Sequence, residues 1–325
     1  MTATQMAAAE TGSAAALSRT RVRRGRRDLV TIWLFVLPAL VLFVLLVLAP
    51  MLVAMYTSLF DWNGYGGLPT DFVGLGNFTR MAGDEVFLGD LGRGGLIIGL
   101  SLVLQLPMSL GIALLLNQRL PGRAVFRLVF FAPFVLSEAI TGALFTMIFS
   151  PETGLANYLL RTVGLDEWQS TWLADRSIVM YVLFFVITWK YFGFHMILYL
   201  AGRQGIPNEL LEAAAIDGAG TWKAFRHVTF PLLGPTIRIT IFLSVIGALQ
   251  LFDLVWLMTQ GGPVGASETM AVTMYQYGFV RWEVGYASAI SIMMFLLSLV
   301  FALGYQRFVM RRDTAGAITG MRDHR

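Results

Sequence analysis

Three ionisable side chains, Glu138, Lys190 and Asp253, stand inside long apolar blocks of this 325-residue chain, with His195 nearby. At membrane depth a charged group costs on the order of 2.5–3.5 kcal/mol on insertion scales, so each marks a functional site or a locally tolerated pair. Two chemistries suit the three groups. An ion relay would use them in turn, whereas a polyhydroxylated solute needs carboxylate or amide acceptors beside flat ring faces. The neighbours favour the second. Trp189, Tyr191, Phe192 and Phe194 surround Lys190, Phe252 and Trp256 flank Asp253, and Gln105, Thr141, Ser244 and Gln250 add polar atoms. For Lys190 and Glu138 the plain alternative is mutual pairing, and for His195 a packed polar role.

Other reactive arrangements are missing from the sequence. Cysteine is absent, which excludes disulfides and thiolate metal sites. Neither lysine, Lys190 or Lys223, follows a Gly-x-x-x-x-Gly pattern, and there is no HExxH, Cys/His cluster or Gly-x-Ser-x-Gly elbow. The expectation is a chain with no catalytic residue, no metal site and no cofactor of its own.

The elements that must position these groups are membrane helices. Hydrophobic residues make up 56% and charged residues 14%, against about 25% charged in soluble domains. Apolar blocks of spanning length run over 29–56, 94–117, 124–149, 178–201, 237–259 and 285–305. They predict an all-α integral membrane protein of six transmembrane helices over 29–312, flanked by a basic tail (1–28) and a C-terminal tail (313–325). The first block is too long for a signal peptide.

Arginine placement sets the orientation. On the side of the N-terminus lie six basic residues of the tail, three in Arg119–Arg127, four in Arg203–Arg238 and five from Arg307 onward: eighteen in all. The opposite loops hold Arg80, Arg93, Arg161, Arg176 and Arg281. Eighteen against five puts both termini in the cytoplasm of a multi-pass plasma-membrane protein. The net charge of +4 therefore reflects topology and implies no nucleic acid. Two external loops, one with Asp61-Trp62-Asn63-Gly64-Tyr65 and one with Trp168 and Trp172, suit headgroup anchoring or contact with a partner.

Between the fourth and fifth blocks lies a polar insert, 207–235. Pro207 and Asn208 suit a helix start, Glu209 and Glu212 the positive end of its dipole, and Gly218 its stop. Ala213, Ala214 and Ala215 carry so little bulk that another protein can approach the backbone. Ten residues at about 1.5 Å each give a rod of roughly 15 Å, too short to cross a bilayer. Phe225 is an isolated aromatic among Lys223, Arg226 and His227, and Pro231 and Pro235 should break the chain before the next span.

Glu212-Ala213-Ala214, followed by Gly218, Val228 and Pro231, resembles the EAA loop of ABC importer permeases, through which the membrane subunit docks on its ATPase. Phe252-Asp253 through Gly261-Gly262-Pro263, and Thr188-Trp189-Lys190-Tyr191-Phe192-Gly193-Phe194, are similar to the helices after and before that loop in the maltose and glycerol-phosphate permease family. The resemblance covers about 29–312 and implies a type I ABC importer permease core for sugar. It implies ATPase coupling through Glu212, Ala213, Ala214, Asp217, Gly218, Phe225 and Pro231. It also implies substrate contacts at Trp189, Lys190, Tyr191, Phe194, Ser244 and Leu251, to which polarity adds Glu138, Gln250 and Asp253. Ala248 and Leu251 stand where the maltose permease has asparagines. The implied partners are a second homologous permease, an ATPase pair carrying ATP and Mg, an extracytoplasmic sugar-binding protein, the sugar and membrane lipid. An ion-coupled secondary transporter using Glu138, Lys190 and Asp253 is the alternative.

Overall fold

The structure, a computed structural model, describes residues 26–118 and 120–310. The expected tails therefore lie, apart from residues 26–28, outside the described residues, as do Arg119, Arg311, Arg312, Arg322 and Arg325. The chain divides into two units after Val53. The first unit holds most of helix α1, whose apolar run is Trp33–Thr57, and its side chains from Trp33 to Val47 are all exposed. Leucine, valine and phenylalanine exposed over that length suit lipid, where a helix satisfies its own backbone.

The second unit continues through α2 (Gly76–Gly83), α3 (Glu85–Leu116), α4 (Arg123–Val135), α5 (Glu138–Ile148), α6 (Leu155–Thr162) and α7 (Val179–Gln204). After these come α8 (Asn208–Ile216), α9 (Thr221–Leu232), α10 (Gly234–Leu249), α11 (Asp253–Met258), α12 (Met270–Tyr275) and α13 (Val284–Met310). Four helices, α1, α3, α7 and α13, are each long and apolar enough to cross a membrane. The number reaches the expected six when the bent pairs α4–α5 (97°) and α9–α10 (65°) each count as one crossing.

α7 is the central post. Of its most apolar window 56% is buried, against 33% for α3 and 17% for α13. One face packs Leu183, Val186 and Ile187 against Phe145 of α5, Phe149 just after it, and Leu254, Val255 and Met258 of α11. The C-terminal half packs Met196, Tyr199 and Leu200 against Ala113 and Leu116 of α3. Gly193 lets α4 lie on α7, since a Cβ there would collide with the Phe130 carbonyl.

Three expected boundaries are corrected. The second span starts at Glu85, not 94, because Asp84 caps it, its carboxylate accepting from the Val86 amide at 2.9 Å. Arg93 is thus a helical residue, not a loop residue. It pairs with the buried Asp90 at 2.7 Å and donates to the Glu268 carbonyl. The 124–149 block is broken at Leu136, whose extended backbone (φ −65°, ψ 143°) precedes a new helix capped by Ser137. Pro133 lies in the last turn of α4, and the Leu136 carbonyl accepts from Lys190 Nζ at 2.5 Å. The 237–259 block ends at Leu249, and the Leu251 carbonyl in the gap accepts from Thr269 Oγ1 at 2.6 Å. Asp253 therefore opens a separate short helix rather than lying within a span.

The loops expected outside are pinned. β1 (Phe60–Asp61) pairs antiparallel with β2 (Asp71–Phe72), and the Gly285 amide of α13 donates to the Trp62 carbonyl. Trp172 donates through Nε1 to the buried Asn157 at 2.7 Å.

Candidate functional site: a cavity between the long helices and an exposed short helix

The two breaks create a cavity of about 270 Å³ between α3, α4, α7 and α10. The α4–α5 break stops a helix inside a span, and such irregular backbone is tolerated at that depth where it lines a cavity. The α4–α5 break presents Phe134 and Glu138, and the gap after α10 presents Gln250, Leu251, Phe252 and Asp253. α7 contributes Ile187, Tyr191, Phe194 and His195, and α3 contributes Ser101 and Gln105. Ser244, Gly247 and Ala248 of α10 also line it.

Glu138 is held on one side only. Its Oε1 accepts from the Tyr191 hydroxyl at 2.6 Å and lies 3.6 Å from Lys190 Nζ, while Oε2 has no partner among the described residues. Gln105 Nε2 and His195 Nδ1, in residues 2% and 4% exposed, are likewise unpartnered. Leaving a polar atom buried and unpaired costs about 1–3 kcal/mol. Three in one wall make it a place built for a ligand's or water's hydrogen bonds. Ring faces lie beside them: Phe134 stacks on Phe194 at 4.7 Å and 17°, and Phe252 on Trp256 at 5.9 Å and 11°.

Of the substrate residues expected from sequence, Glu138, Tyr191, Phe194, Ser244, Gln250, Leu251 and Asp253 meet in this wall. Trp189 and Lys190 do not line it. Trp189 sits edge-on to Phe145 at 4.9 Å in the core, and Lys190, 2% exposed, reaches Leu136 and Glu138 from behind. At about 100° per residue, Trp189 is about 200° round α7 from Tyr191, whereas Ile187, Tyr191, Phe194 and His195 share one stripe. That spacing also marks His195, which sequence reasoning set aside. Ser101 and Gln105, four apart on α3, were visible in the same way.

The polar insert forms α8, nine residues with none buried. Asn208 makes no cap; it is the first helical residue, and Pro207 occupies the capping position. The stop falls at Gly218 as expected, at φ +79°. The Gly218 amide donates to the Ala215 carbonyl and the Ala219 amide to the Ala214 carbonyl, a closure that needs the left-handed glycine. Glu212, Ala213, Asp217, Gly218 and Pro231 are exposed, while Ala214 and Phe225 are half-buried. Phe225 lies between Trp222 (5.4 Å) and Phe230 (5.9 Å). With Leu211 and Trp222 it borders a crevice of about 760 Å³ against Leu110 and Leu114 of α3. Pro231 does not break the chain as expected: the helical run continues to Leu232, and the bend falls at Leu233 before Pro235 enters the first turn of α10.

A family described as "Binding-protein-dependent transport system inner membrane component" matches residues 105–313. YurN of Bacillus subtilis (strain 168), a probable ABC transporter permease protein, is 36% identical over 278 residues, covering 85% of this chain and 94% of its own. The diacetylchitobiose uptake system permease protein NgcF of Streptomyces coelicolor is 32% identical over 310 residues, with 92% and 87% covered. A bacterial ABC transporter involved in the import of the acidic polysaccharide alginate shares the fold at a TM-score of 0.78 and 24% identity, covering 88% of this chain and 96% of that one.

Proposed function

Since this chain belongs to the family of binding-protein-dependent transport system inner membrane components, we infer that it is a permease subunit of an ATP-driven sugar importer. It forms half of a translocation pathway with a second, homologous permease. An extracytoplasmic binding protein delivers the sugar. A pair of cytoplasmic ATPase subunits supplies the chemistry, holding ATP and Mg that this chain does not bind. Both termini, with the tails 1–28 and 313–325, face the cytoplasm, as the arginine asymmetry requires.

The observation that carries the reading is α8: a helix with no buried residue, closed by Gly218, with Ile216 86% and Trp222 68% exposed beside it. Large apolar side chains outside the hydrocarbon call for a protein partner. Glu212, Ala213, Ala214, Asp217, Gly218, Phe225 and Pro231 form or support that docking surface. Because an ATPase shifts the permease only by binding its states unequally, it must grip the outward-facing arrangement more tightly. The solute occupies the cavity walled by Glu138, Tyr191, Phe194, Ser244, Gln250, Leu251 and Asp253, with Trp189 and Lys190 acting from behind it.

A sugar suits this wall better than a bare ion, because ring faces and unpartnered polar atoms occur together in it. Lys190 and Glu138 are paired with each other, which counts against their serving as successive steps of an ion relay. The test is co-purification of the tagged chain from its native membrane. An ATPase subunit and a second permease should appear in stoichiometric amount; recovery of the chain alone under conditions that preserve other membrane complexes would refute the reading.

A further inference from the structure

We propose that the cavity selects sugars that are uncharged or carry a protonated amine, and turns away those carrying a carboxylate, phosphate or sulfonate. The inference rests on reading this cavity as the solute site. Among the described residues two carboxylates, Glu138 and Asp253, line it and no lysine or arginine does. The nearest cation is Lys190, and it is committed. It is 2% exposed, donates to the Leu136 carbonyl, and lies 3.6 Å from Glu138 Oε1. Lys190 thus balances Glu138 from outside the cavity, while Asp253, itself exposed, makes no ion pair among the described residues. The wall keeps one uncompensated negative charge.

The unpartnered atoms agree with this. Gln105 Nε2 is a donor, Glu138 Oε2 an acceptor, and His195 Nδ1 serves as either. A sugar hydroxyl both donates and accepts, so it matches all three. An anionic group can use donors only and, like other buried anions, calls for a guanidinium or ammonium partner. Placed about 5 Å from Asp253 at an effective dielectric near 20, it is disfavoured on the order of 100-fold. A protonated amine gains by the same interaction.

The chain contains no cysteine, which makes a direct test possible. Gly247 lines the cavity, and a Cβ there meets nothing within 4 Å, so Gly247→Cys places one thiol in the wall. Ser244→Cys, nearly isosteric, is the second variant. In the assembled transporter, with cysteine-free partner subunits, labelling rates are measured with a trimethylammonium and a sulfonate methanethiosulfonate, each normalised to its rate with a free thiol. The expected cation-to-anion ratio is at least 10, falling at least threefold with Asp253→Asn. A ratio near 1, or one indifferent to Asp253→Asn, overturns the proposal. Protection of the thiol by cellobiose, glucosamine and glucuronate forms the second arm. Stronger protection by cellobiose or glucosamine than by glucuronate supports it. Best protection by glucuronate refutes the charge selection and leaves the sugar site standing. No protection by any of the three, with uptake unchanged after labelling, removes the site itself and the proposal with it.

Discussion

The cavity and α8 are incomplete in opposite ways. In the cavity, Gln105, Glu138 and His195 hold buried polar atoms that nothing among the described residues satisfies. At and beside α8, Ile216 and Trp222 hold apolar surface that nothing among the described residues covers. The first deficit calls for a small polar ligand and the second for a protein. On the proposed reading one chain carries a solute-facing and a partner-facing site, each recognisable by what the fold leaves unfinished.

Substitutions can break that contrast. The largest effect is expected from Ala214→Glu, which puts bulk and charge on the docking face. Uptake and sugar-stimulated ATP hydrolysis should fall at least 100-fold, while membrane insertion and the cavity's labelling by thiol reagents through Gly247→Cys stay intact. Unchanged uptake would remove the docking role.

Asp253→Leu strikes the other region alone. Uptake should drop about tenfold or more with the ATPase still bound, and normal uptake kinetics would take Asp253 out of the site. Gly218→Ala is milder. The left-handed conformation at φ +79° costs a residue with a Cβ about 1–2 kcal/mol, so the end of α8 should fray and uptake fall several-fold. Binding of sugar to the cavity should not change, and equal losses at both sites would erase the distinction drawn here.

The smallest effect lies in a region distant in role from both. Burial alone would push the Asp84 carboxyl up, but the Tyr286 hydroxyl at 2.6 Å, the Val86 amide and the Tyr277 hydroxyl outweigh it and hold it below its usual range. A depressed value in the folded state means that the contribution to stability is present above the unfolded carboxylate range, near 3.9. It is lost as the pH falls through the folded value. Resistance to thermal unfolding should therefore fall slightly below about pH 4, and Asp84→Asn should flatten that slope; an identical slope in the variant would exclude Asp84 as its origin.

Much of this was legible in the chain because hydropathy and turn chemistry are local. The apolar blocks, the glycine that ends α8 and the charged residues near the cavity all follow from neighbours in sequence. The breaks do not. Nothing in Gln250-Leu251-Phe252 stops a helix by itself; the gap is held by Thr269, eighteen residues away, bonding the Leu251 carbonyl. The Leu136 break likewise depends on Lys190. Asp253 consequently looked like a mid-span charge, when it opens a separate helix. Trp189 and Lys190 are expected in the wall by resemblance to the permease family, but helical rotation turns Trp189 away from it and bonding to Leu136 and Glu138 draws Lys190 behind it.

The central claim is that this chain moves sugar only when another subunit's ATP hydrolysis acts through α8. Vesicles containing the purified assembly should accumulate sugar when ATP, Mg and the binding protein are supplied on their proper sides, and should stop when the ATPase is omitted. Accumulation by the chain alone, driven by a proton or sodium gradient, would contradict the account.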